Sequence, residues 1–180
     1  MTKKLIYLML IPVIVMVILA CNPAYGLTEK EQTSIKNKLE NTCEFYNTFC
    51  NVYFGNTELV QAFTTVQGNI VISTGLANKL SYNEVLAVGY HEVGHRVLKH
   101  HIKYFEYIYT NYPTTLKQRQ KIRHEHEIEA DLFATVMSKK DNTKNYLPST
   151  LKKIVIKQKW NEVSSTHPSI NQRIKLMKSY

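Results

Sequence analysis

His91-Glu92-Val93-Gly94-His95 reads H-E-x-x-H, and this stretch decides the fold. Histidines four residues apart share one face of an α-helix, so both rings can reach a single Zn²⁺. Glu92 follows the first of them, placed to act as general base on a water activated at the metal. The flanking sequence is helical. Ser81 and Glu84 form a capping box that opens the element. Val85, Leu86 and Val88 then recur at helical spacing without Pro, and the pattern runs to at least His101 and on towards Tyr109. Gly94 interrupts it with a residue about 1 kcal/mol poorer than Ala in a helix. A side chain this small lets the metal or another backbone segment come close.

A catalytic zinc takes a third protein ligand and keeps a fourth position open, often with two His and one Glu. Residues 123–134 offer a surplus of candidates: His124, Glu125, His126, Glu127, Glu129 and Asp131. They belong to a second helix that opens at Thr114 or Thr115, after Pro113, and ends near 139–141. Glu127 and Asp131 stand at i and i+4 on one face. Asp131 is one of two aspartates in the chain, one turn after a candidate ligand. His124 and His126 read as solvated helix residues, and His100 and His101, after Lys99, as a solvated basic face. The run Tyr104, Phe105, Tyr107, Tyr109, Tyr112 reads as core and loop packing, with a substrate wall or a membrane contact as the alternative.

H-E-V-G-H followed by Glu127-Ile128-Glu129-Ala130-Asp131 resembles the M48 family of zinc metallopeptidases. Upstream, Gln61-Ala62-Phe63 and the stretch from Gly68 to Leu76 are similar to that family's N-A-F…G…I-x-V-x-x-G-L segment; downstream, Thr166-His167-Pro168-Ser169 and Arg173-Ile174 resemble its T-H-P-S…R-I element. The resemblance covers about residues 58–176 in the family's order. It implies His91, His95 and Glu127 as zinc ligands, one Zn²⁺ per chain, and Glu92 as the base. It also implies Asp131 on the free ring N–H of His91 and Arg173 organising the far side of the cleft. His167 would stand across that cleft, stabilising the oxyanion or latching the open metal position. Gln61 departs from the pattern, where the family has Asn.

The expected fold class is α+β, a zincin-like domain over residues 27–180 with a small, mainly antiparallel sheet and two metal-bearing helices. A first helix is expected over 28–45, strands near 51–54, 62–66 and 69–73, a short helix after Pro148 and a last one from Pro168. Ile70, Val71, Ile72 and Ser73 are the expected edge strand, holding an extended peptide by strand addition.

Residues 1–26 read as a targeting segment: Lys3 and Lys4 precede an apolar run over 5–20. Ile18-Leu19-Ala20-Cys21 resembles a bacterial lipobox with Cys21 lipidated; cleavage after Gly26 or an uncleaved anchor are the alternatives. Each puts the domain outside the cytoplasm, on the periplasmic or extracytoplasmic side, and lipidation or an uncleaved anchor would hold it at a bacterial membrane. Cys43 and Cys50 remain as a pair able to close a small loop in an oxidising compartment. The formal charge is +9, and on an exported chain it favours anionic lipid or cell envelope over nucleic acid, for which no motif is present. The function expected is zinc-dependent endopeptidase action on unfolded or extended exported polypeptides. The alternatives are a quality-control factor latched by His167 and a catalytically inert scaffold.

Overall fold

A computed structural model describes residues 26–158 and 167–180. The apolar run, the lipobox with Cys21, and Thr166 lie outside the described residues. The elements run α1 (Glu29–Phe45), β1 (Val52–Gly55), β2 (Ala62–Thr64), β3 (Ile70–Ser73), α2 (Thr74–Ala77), α3 (Tyr82–Val97), α4 (His100–Thr110), α5 (Leu116–Lys140), α6 (Leu147–Gln158) and α7 (Ile170–Lys178).

Local chemistry sets the helix starts. Thr28 caps α1: its backbone N–H donates to the Glu31 carboxylate at 2.9 Å, and Glu31 N–H donates to Thr28 Oγ1 at 3.3 Å. Thr115 and Gln118 make the equivalent box on α5. At the start of α3, Glu84 accepts from the Ser81 backbone N–H at 2.8 Å and from Lys153 Nζ on α6 at 2.8 Å. Ile35 and Leu39 of α1 are buried in one core with Ile70, Ile72, Val85 and Val93, so α1, the sheet and α3 close on a shared apolar layer. Cys43 and Cys50 are joined by a disulfide with Cα atoms 6.1 Å apart, tethering the end of α1 to the approach to β1.

The sheet corrects two expectations. It is mixed: β1 pairs parallel with β3, and β2 pairs antiparallel with β3. The order is β1-β3-β2, so Ile70, Val71, Ile72 and Ser73 form the central strand and are not an edge. The physical reason lies in burial, because Ile70 and Ile72 are wholly enclosed and an apolar run of this kind suits a strand with neighbours on both sides. The edge is β2.

The active-site helix also differs from its expected length. The helical pattern of 82–109 breaks after Val97, where Lys99 adopts left-handed backbone angles (φ 58°, ψ 37°) and α4 sets off in a new direction. Only His100 of α4 is buried. The aromatic run is accordingly not core: Phe105, Tyr109 and Tyr112 are exposed.

Candidate metal centre

α3 lies against α5 at a distance that Gly94 makes possible. A Cβ on Gly94 would sit 3.1 Å from Ala130 Cα and 3.1 Å from Phe133 Cβ, both on α5. The small residue serves a helix-to-helix approach, and that approach carries Glu127 of α5 to the histidines of α3.

His91 Nε2 and His95 Nε2 are 3.1 Å apart, His95 Nε2 lies 3.4 Å from Glu127 Oε1, and His91 Nε2 lies 3.5 Å from Glu127 Oε2. Bonds of about 2.0–2.1 Å meeting at the tetrahedral angle would set neighbouring donor atoms about 3.3–3.4 Å apart. The three spacings lie close to this, the two to Glu127 running to different carboxylate oxygens, and suit a cage for one ion. Among the described residues these are the His, Cys, Asp and Glu donors whose ligand atoms gather within 4.8 Å of one another. Glu127 Oε2 is buried without a hydrogen-bond partner, and a buried carboxylate oxygen left in this state calls for a cation. The donor set, two imidazoles and a carboxylate, fits a divalent transition ion.

In the metal-free chain a proton takes the cation's place. Burial opposes charge on His91, but the carboxylates of Asp131 and Glu127 outweigh it and hold its pKa up at about 10. Burial likewise pushes Glu127 up, yet hydrogen bonding to His91 and His95 carries it well below the usual carboxylate range.

Behind the cage stands Asp131, 1% exposed. Its Oδ1 is 3.0 Å from His91 Nδ1. Arg173 of α7 donates to it through Nε and Nη2, both at 2.7 Å. Burial raises the Asp131 pKa and the Arg173 and His91 partners lower it further, to a net depression. Arg173 Nη1 also comes within 3.5 Å of Glu127 Oε2. His167 Nε2 lies 3.5 Å from the same oxygen, on a half-exposed side chain. Burial drives the His167 pKa down against the attraction of Glu127.

Glu92 is buried one residue from His91, and Thr64 of β2 ties it down. The Thr64 hydroxyl lies 2.9 Å from the Glu92 backbone carbonyl and 2.9 Å from its carboxylate, donating its proton to one at a time. Thr64 is a site residue that the sequence reading missed; its only signal was its place inside the A-F-T strand. Gln61, the departure noted above, is exposed and meets the sheet through its backbone, N–H to Ser73 Oγ at 3.1 Å.

His100 and His101 are not on a solvated face. His101 Nε2 lies 2.8 Å from the Thr64 carbonyl. His100, 3% exposed, faces His95 and stacks on His126 at 4.3 Å with the rings 4° from parallel. Burial, then the neighbouring His95 and His126, pushes its pKa down to about 2. An open cleft beside the cage is lined by His95, His101, Tyr104, Phe105, Arg123 and His126.

A family profile described as Peptidase family M48 matches residues 29–118, which is 90 of the 180 residues. It takes in H-E-x-x-H and stops short of Glu127. Among solved structures the chain is similar to Ste24p of S. mikatae, with a TM-score of 0.56 and 18% identity over 96% of this chain and 56% of that one. The chain thus spans little more than half of that protein's length, and at this identity the likeness speaks for the fold, a zincin-like α+β domain. Comparison with curated proteins gives no match. The chain belongs to peptidase family M48, a family of metallopeptidases.

Proposed function

We propose that the chain is a zinc metalloendopeptidase acting on unfolded or extended exported polypeptides, with His91, His95 and Glu127 holding one Zn²⁺. The observation that carries this reading is the spacing of 3.1, 3.4 and 3.5 Å among their donor atoms, with Glu92 on the adjoining position of α3. Zinc held here supplies Lewis-acid polarisation of the scissile carbonyl and makes a nearby water more acidic. The rest falls to the protein. Glu92 accepts the proton of the attacking water and passes it to the leaving amine. The Thr64 hydroxyl steadies that carboxylate. Asp131 keeps the His91 proton on Nδ1, leaving Nε2 for the metal. His167 donates to the developing oxyanion, a kind of contact worth about 3–4 kcal/mol.

Substrate grip moves from β3 to β2. Ser73 N–H donates to the Gln61 carbonyl and Thr65 N–H to the Asn69 carbonyl, so by antiparallel alternation the N–H and C=O groups of Ala62 and Thr64 face away from β3. An extended peptide pairing with that edge would lie beside Glu92, with the aromatic cleft of Tyr104 and Phe105 taking a side chain. The Cys43–Cys50 bond supports an oxidising, extracytoplasmic location, and the lipobox at Cys21 supports a lipid anchor there.

The deciding experiment measures zinc content and cleavage of an unfolded model protein by the wild type and by Glu92→Gln. One zinc in both, with cleavage in the wild type alone, is expected. A chain that binds no zinc would sink the reading. One zinc without cleavage would favour a latched factor, and the place of His167 beside Glu127 makes His167→Ala the variant to release it.

A further inference from the structure

Asp131 stands 3.0 Å from His91 Nδ1, on the side away from the cage, and the other histidine ligand needs an equivalent partner. We infer that His100 and Glu129 form a relay that fixes the tautomer of His95 and so positions its Nε2 for the metal. This rests on the zinc reading given above. His95 presents Nε2 to the cage, 3.1 Å from His91 Nε2, and presents Nδ1 to His100 Nδ1 at 2.9 Å. Two facing ring nitrogens share one proton. On the far side, His100 Nε2 lies 2.9 Å from Glu129 Oε2. An ionised carboxylate only accepts, so the His100 proton resides on Nε2 and its Nδ1 carries a lone pair. The shared proton must then belong to His95 Nδ1, and His95 Nε2 is left bare towards the cage. Each proton in the chain points outward from the metal, as a histidine ligand requires.

The backbone is built for this contact. On an unbroken α-helix, residues five apart point about 140° away from each other, so His95 and His100 could not meet. The left-handed Lys99 ends α3 and turns His100 back onto His95. His126, parallel to the His100 ring at 4.3 Å, holds its plane. The acidic run of α5 divides accordingly: Glu127 enters the cage, Asp131 serves His91 directly, and Glu129, with a half-exposed side chain, serves His95 through His100. His100 and Glu129 are positioning residues.

The direct test is a ¹⁵N spectrum of the histidine rings in the zinc-loaded wild type. The relay requires His95 protonated on Nδ1 and His100 protonated on Nε2 alone; a proton on His100 Nδ1 overturns it. Competition with a chromophoric chelator then measures zinc affinity. His100→Ala is expected to weaken zinc about 10–100-fold, the usual range for such partners. His100→Asn, which keeps an acceptor near the Nδ1 position, should recover most of that loss. Glu129→Ala should lose less, and the double variant His100→Ala/Glu129→Ala should bind no more weakly than His100→Ala alone. Wild-type affinity in a folded His100→Ala, or a His100→Asn no better than His100→Ala, refutes the inference while leaving the cage intact. Should neither variant fold, the wild-type spectrum decides. A wild type that takes up no zinc refutes the cage, and the relay with it.

Discussion

Replacing Arg173 by Met tests how the site is held together without its metal. The guanidinium is 3% exposed and makes two 2.7 Å bonds to Asp131, with Glu127 a further 3.5 Å away. Met preserves much of the stem's packing and removes the charge and both donors. Two carboxylates then share the cavity with only the His91 proton to balance them. Hydrogen bonds to charged groups are worth about 1.5–3 kcal/mol each, and stripping one partner from a buried pair costs about 3–5 kcal/mol. The two routes agree, so the loss should be about 3–5 kcal/mol, or about 6–20 °C in Tm for a domain of this size. Arg173→Lys keeps a cation but not the planar fork, and should lose roughly half as much. The assay is urea unfolding in excess chelator, with an unchanged denaturant slope as the check that both states remain comparable. A Met variant within about 1 kcal/mol of wild type, or a Lys variant as weak as Met, would show that the fork does not anchor α7 to α5 and refute the reasoning.

Further outcomes are expected. Gly94→Val should push α3 from α5 at Ala130, costing about 1–3 kcal/mol and loosening zinc; a variant with full stability and unchanged zinc affinity would contradict the close approach. Lys99→Gly relieves a left-handed backbone worth about 1–2 kcal/mol, so Tm should rise by a few degrees at most, and a fall would be inconsistent with the observed φ. Zinc binding between pH 7 and 9 should release about one proton from His91, held near 10 in the metal-free site, as read by calorimetry in buffers of different ionisation enthalpy. The sign for the metal-free fold follows: this raised pKa contributes stability that is full below about 6.5 and fades as pH rises through about 10, and a metal-free Tm flat across that window would contradict it. His101→Ala frees the Thr64 carbonyl on the outer edge of β2, so KM for an unfolded substrate should fall; a rise would mean that His101 chiefly braces the strand.

Much of the site was legible because its information is local. His91, Glu92 and His95 share one helix turn, and the i to i+4 offset of Glu127 and Asp131 is fixed by helical geometry alone. The caps at Thr28, Ser81 and Thr115 were equally local. What escaped depends on long-range placement. Ile70–Ser73 has the composition of a pairing strand, but whether it has one neighbour or two is decided by β1 arriving from 18 residues upstream in register, Val52 against Ile70. His100 looked solvated because on an uninterrupted helix it would point away from the cage. A single left-handed residue at Lys99, where sequence favours neither Gly nor Asn, reverses that. The smallness of Gly94 is plain in the sequence, but only the packed pair of helices says that it makes room for α5.

The charge balance would let a dication and a buried arginine coexist here. Asp131 and Arg173 cancel as a pair, so the charge offered to the ion is that of Glu127 alone, since His91 and His95 bind as neutral rings. In the metal-free chain the His91 proton neutralises Glu127, and the cluster closes at zero. A dication in place of that proton would leave the same groups one unit more positive, in a site largely shut off from water. That added positive charge would lower the proton affinity of water reacting beside Glu92 and favour the oxyanion that follows. Were Arg173 absent, Asp131 would add its full negative charge, cancel that excess and bind the metal more tightly at the expense of its acidity. Arg173→Met should therefore separate the two properties in any variant that still folds. Zinc affinity should hold or rise while the acidic limb of the pH–rate profile moves to higher pH, and a limb that stays in place would mean that Arg173 acts on the fold alone.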